Sequence, residues 1–165
     1  MNQTFIICVV FWWSFYPSIT AQDYHKISVE SHKILDINVT DVWQIVQDWE
    51  NLSTLAPETV KSTIMRGTGI DANWDIELHN GSIIKEKMVY FNDHQKTMSY
   101  IMTDTPMPVE DYRATILVES YGISKSRVSF FTSCKVEKEN KPSIEENFKN
   151  FQNTYLSNLK NVRYE

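Results

Sequence analysis

From His25 to Ile37 apolar residues alternate loosely, with Ile27, Val29 and Ile34 running into "LDI", and the pattern predicts one long strand. Thr40 then reads as a helix cap, because Val42, Trp43, Ile45 and Val46 follow at helical spacing. "DWENLSTLAP" continues as a short second helix that Pro57 stops. From Val60 to Val136 the period changes to two. "KSTIMRG", "NWDIEL", "SIIKEKMVYF", "KTMSYIMT", "YRATILVES" and "SRVSFFTSCKV" predict six strands joined by short turns, and "HNGS" around Asn80 and Gly81 is a two-residue hairpin signal. Pro142 and Ser143 then open "KPSIEENFKNFQNTYLSNLKNV". Here Ile144, Phe148, Phe151, Tyr155, Leu159 and Val162 recur at steps of three and four, which predicts one long amphipathic helix.

This order makes an α+β fold in which a curved, seven-stranded antiparallel sheet grips a long C-terminal helix, with two short helices after the first strand. No repeat and no Gly/Ser/Pro-rich linker divides the chain, so residues 22–165 are expected to form one domain. Three strings in this order carry a resemblance: "VWQIVQDWENLSTLAP" from Val42, "GSIIKEKMVYFND" from Gly81, and "TPMPVEDYRATILV" from Thr105. Together they resemble the START-like helix-grip superfamily, SRPBCC, also known as the polyketide cyclase/dehydrase and lipid transport group, from about Ile27 to Val162. Within that group the "KEK" strand at Lys85 to Lys87 and the "CK" pair at Cys134 and Lys135 are similar to plant lachrymatory factor synthase. The resemblance implies a cavity between sheet and last helix. It also implies a catalytic glutamate at Glu86, working with an arginine on the neighbouring strand whose place Trp74 takes here.

Composition narrows the compartment and the partners. The first 21 residues hold no charged side chain, and "FIICVVFWWSFY" is closed by Pro17 and the small-residue tail "SITA". That reads as a secretory signal peptide cleaved after Ala21, the apolar run being short for a membrane span; an uncleaved anchor is the alternative. The expected location is secreted or periplasmic, without stable membrane insertion once the leader is gone. Cleavage would remove Cys8 and leave Cys134 without an internal disulfide partner. A formal net charge of −5 with no basic stripe excludes nucleic acid as a partner. Asn38, Asn51 and Asn80 begin N-x-Ser/Thr triplets, which matter only in a eukaryotic secretory pathway.

Strand alternation assigns the faces. Lys85 and Lys87 belong in water, which places Ile84, Glu86, Met88 and Tyr90 on the concave face. The same rule turns Trp74, Ile76 and Leu78, then Met98, Tyr100 and Met102, then Tyr112, Ala114 and Ile116, then Phe130, Thr132 and Cys134 inward. Phe148, Phe151, Gln152 and Tyr155 of the last helix would lie opposite. Tyr112 heads its strand, where it either meets a ligand or hydrogen-bonds a loop as core. The strand methionines Met65, Met88, Met98 and Met102 suit an adaptable cavity, or simple core.

Glu86, a carboxylate on an apolar face, is the candidate acid or base, with Tyr100 or Tyr112 as polarising partners; otherwise it pairs with one of those hydroxyls. His25, His32, His79 and His94 show no ligand spacing, so no metal or other cofactor is expected, and Cys134 reads as a small buried hydrophobe. Two functions fit these residues. One is a carrier holding a small hydrophobic molecule, lipid- or polyketide-like, against Trp74, Met88, Tyr90, Tyr100, Met102, Tyr112, Phe130, Phe148, Phe151, Gln152 and Tyr155. The other is a cyclase, dehydratase or isomerase using Glu86. A contact surface at "TPMPVED" is a third.

Overall fold

The computed structural model describes residues 23–162. The expected leader, with Cys8 and the expected cleavage point after Ala21, lies outside the described residues. Seven strands form one antiparallel sheet: β1 (Tyr24–Leu35), β2 (Val60–Arg66), β3 (Asn73–Leu78), β4 (Ile83–Asn92), β5 (Thr97–Asp104), β6 (Glu110–Ser120) and β7 (Ser126–Glu137). Strands β2 to β7 run as a meander, and β1 adds to the β7 edge, giving the order β1-β7-β6-β5-β4-β3-β2. Gly81 turns the β3–β4 hairpin at φ 84°, a left-handed conformation that glycine adopts without a Cβ penalty.

Helix α1 (Val39–Gln47) buries Val42, Trp43, Ile45 and Val46. Its cap is Asn38 rather than Thr40. Asn38 has extended backbone at ψ 158° and its Oδ1 accepts from the Thr40 and Asp41 N–H groups at 3.0 Å, whereas Thr40 already sits in the first turn. The expected second helix is a 3₁₀ turn, Trp49–Asn51, leading into α2 (Leu52–Leu55). Helix α3 (Lys141–Asn158) buries Ile144, Phe148, Gln152, Tyr155 and Leu156 and packs against β1 and β7. Each large apolar group removed from water there contributes about 1.5–3 kcal/mol. No helix among the described residues is long and apolar enough to cross a membrane.

Two irregularities decide which side chains face α3. On β4, Met88 pairs with Tyr100 but Tyr90 pairs with Ser99, so Val89 is an extra residue on that strand. The bulge reverses the alternation: Phe91 turns inward onto Trp43 at 5.6 Å, and Tyr90 turns outward, 39% exposed, with its hydroxyl donating to Gln95 Oε1. Tyr90 is therefore not on the concave face. On β6, Glu110 pairs with Lys135 and Arg113 with Ser133, and Asp111 at φ 51° takes up the extra residue. That second bulge precedes Tyr112, which keeps phase with Ala114 and Ile116 and points inward at the start of its strand.

Candidate functional site

The concave face, α2 and α3 enclose a cavity of about 320 Å³. Its floor is apolar: Ile76, Leu78 and Ile84 come from β3 and β4, and Leu52 and Val60 from the α2–β2 corner. Trp49, Tyr100, Tyr112, Phe148 and Phe151 present aromatic surface to it, and Met102 and Met107 close one side. Exposed Glu58, Thr59, Asn147 and Asn150 form the mouth.

Glu86 is the acid inside. It lines the cavity at 3% exposure, and Trp74 stands directly opposite it in the β3–β4 register. Trp74 Nε1 donates to Glu86 Oε2 at 2.7 Å. Burial pushes the Glu86 carboxyl up to about 8, with the indole hydrogen bond opposing it as the smaller influence. The flanking lysines are spent outside, Lys85 on Asp104 at 3.1 Å and Lys87 on Asp71 at 2.7 Å. Near neutral pH, Glu86 is thus poised to give or accept a proton.

A chain of polar groups runs from α3 across the sheet toward Glu86. Gln152 Nε2 donates to Thr132 Oγ1 at 2.9 Å and to the Val29 carbonyl at 3.3 Å. The Thr132 and Tyr100 hydroxyls each hydrogen-bond to the Tyr112 oxygen. Burial holds both phenols well above their usual range, so they stay protonated. Tyr112 stays protonated and lines the cavity, so its O–H can turn toward a bound molecule.

The predicted residues separate into groups. Glu86, Tyr100, Met102, Tyr112, Phe148 and Phe151 meet at the cavity. Trp74 lies behind Glu86, stacked on Trp49 at 4.3 Å. Phe130 and Tyr155 pack edge to face at 5.3 Å in the core beside the cavity, and Gln152 is buried there with them. Met88 is not in this cavity. It lies under α1 with Gln44, Met65 and Phe91, because its pair on β5 is Tyr100 and it sits one inward position further along β4 than Glu86.

Trp49, Glu58 and Met107 escaped the sequence reading. Trp49 sits in the 3₁₀ turn where helical phase gives no face, and its buried Nε1 has no partner among the described residues. Met107, flanked by Pro106 and Pro108, belongs to the loop "TPMPVED", whose middle residue reaches the cavity. Cys134 is buried, and burial pushes its thiol up to about 11, which makes it inert.

Among curated proteins none matches this sequence. Solved structures resemble it in fold. Norcoclaurine synthase from Thalictrum flavum superposes with a TM-score of 0.71 at 16% identity, over 89% of this chain and 100% of that one. The XoxI protein from Bacillus cereus gives 0.72 at 20% identity, over 80% and 92%. The Zhui aromatase/cyclase from a Streptomyces species gives 0.73 at 10% identity, over 82% and 92%. Residues 26–162 match the sequence pattern of one family along nearly the whole described fold, and the chain belongs to that family, polyketide cyclase/dehydrase and lipid transport.

Proposed function

We propose that the cavity binds a small, largely apolar molecule and that Glu86 exchanges a proton with it in a cyclisation, dehydration or isomerisation. The observation that carries this reading is one buried carboxyl group, pushed up to about 8, in the wall of a cavity whose floor is apolar. In a dehydration, the protonated carboxyl gives its proton to the leaving oxygen as the C–O bond breaks. The resulting carboxylate takes a proton from the adjacent carbon, and water departs with the carboxyl restored. The protonated Tyr112 O–H supplies a hydrogen bond to a substrate oxygen on which negative charge develops. The cavity volume suits a molecule smaller than a long-chain lipid.

A carrier is the second reading, supported by Met102 and Met107, whose flexible side chains adapt to varied apolar shapes. One experiment separates the two. The protein and Glu86→Gln are each incubated with a fractionated small-molecule extract and followed by mass spectrometry. The enzyme reading expects a compound converted to a product of equal mass, or one lighter by a water, by the native chain alone, while both proteins retain it. Retention without conversion by either supports the carrier, and no retention removes both.

A further inference from the structure

Resting on the cavity as a binding site, we infer that its ligand carries a positively charged amine, seated against Glu86 and the surrounding aromatic rings. Charge comes first. Among the described residues that line the cavity, none is lysine, arginine or histidine, while Glu86 lies within and Glu58 at the mouth. A ligand carboxylate or phosphate would meet two acids and no cation.

The aromatic arrangement is the second observation. Trp49 and Tyr100 meet edge to face at 4.8 Å, Tyr100 and Tyr112 lie 6.5 Å apart, and Tyr112 and Phe148 lie 5.5 Å apart. All four line the same cavity as Glu86, so π-faces and one carboxyl share a space of about 320 Å³. Ring faces attract a desolvated cation, and a carboxylate completes its neutralisation. A neutral ligand would use the rings and leave the Glu86 carboxyl protonated, whereas an ammonium gains an ion pair by displacing that proton. The Tyr100 and Tyr112 hydroxyls stay protonated and add no competing charge.

Three ligands of one shape and different charge test this by calorimetry at neutral pH: 2-naphthylmethylamine, 2-naphthylmethanol and 2-naphthoate. The amine is expected to bind about tenfold or more tightly than the alcohol, and the carboxylate not measurably. Because Glu86 is largely protonated before binding, seating the ammonium should release about one proton, read from titrations in buffers of different ionisation enthalpy. Glu86→Gln should weaken the amine until amine and alcohol agree within about twofold, and an unchanged circular dichroism spectrum would report an intact fold. Equal or tighter binding of the alcohol or carboxylate by the native chain would overturn the amine assignment and leave the cavity reading standing. Failure of all three to bind would remove the cavity reading, and this inference with it.

Discussion

Trp74 Nε1 and Glu86 Oε2 are 2.7 Å apart across a directly paired position of β3 and β4. A neutral indole therefore stands where the resemblance implies a guanidinium, and nothing cationic holds the carboxyl ionised. The consequence is a pH-dependent stability. The folded chain keeps the Glu86 proton up to about 8, whereas the unfolded chain releases it near 4.5. Between those values the folded state binds more protons, so this stabilising contribution is complete at low pH and is lost as pH rises to about 8. At ~1.4 kcal/mol per pKa unit the ceiling is ~5 kcal/mol. Glu86→Gln keeps the acceptor for Trp74 and removes the titration. It should match the native chain in urea midpoint near pH 5 and exceed it by ~2–5 kcal/mol near pH 9. Parallel pH profiles for the two proteins would show that Glu86 does not carry the proton.

Met88 and Met102 lie on neighbouring strands but serve different spaces. Met102 lines the cavity and Met88 fills the region beneath α1. Met88→Ala should cost ~2–5 kcal/mol of stability in denaturant melts and leave the affinity of any cavity ligand unchanged. Met102→Ala should cost less, since the site is already half open, and should change ligand affinity. Loss of binding on truncating Met88 would mean that the two spaces communicate.

The period-two pattern located every strand of the sheet, and the concave face was legible at Trp74, Glu86, Tyr100 and Tyr112 because a pleat is a local property of the backbone. Tyr90 shows where that logic stops. An extra residue at Val89 reverses the alternation, and nothing in "KMVYF" marks a bulge, since no glycine is present. Which inward residues line the space and which fill the core was also beyond reach. Met88, Phe130 and Tyr155 share the inward face with Met102 and Phe148, and their separation depends on where α1 and α3 cross the sheet. Asn38 displaced Thr40 as the cap because both are good capping residues two positions apart, and only backbone dihedrals distinguish them.

Export is proposed from the leader composition alone. The described elements start at Tyr24, so cleavage after Ala21 would leave every one of them intact. Intact mass of the protein expressed with its full leader should give a chain beginning at Gln22 in the exported fraction. A cell-associated species retaining Trp12 and Trp13 would support an anchor instead.

Thr132 and Gln152 give the last prediction, because they are linked at 2.9 Å and only one of them also reaches Tyr112. Gln152 contributes two hydrogen bonds through Nε2 but leaves its buried Oε1 without a partner. Gln152→Met keeps the shape, loses both bonds and removes that unpaired acceptor, so its net cost should be small, ~1 kcal/mol. Thr132→Val also keeps the shape, yet it leaves the Gln152 donor without its hydroxyl partner and frees Tyr112 from one anchor. It should cost more, ~1–3 kcal/mol. The double variant should fall short of the sum of the two, since the bond between them can be lost only once. Ligand affinity provides the functional readout: Thr132→Val should alter it through the loosened Tyr112 hydroxyl, and Gln152→Met should alter it less. Equal effects of the two variants on stability and affinity would show that Tyr112 is not held by Thr132, and its place in the proposed chemistry would then fall.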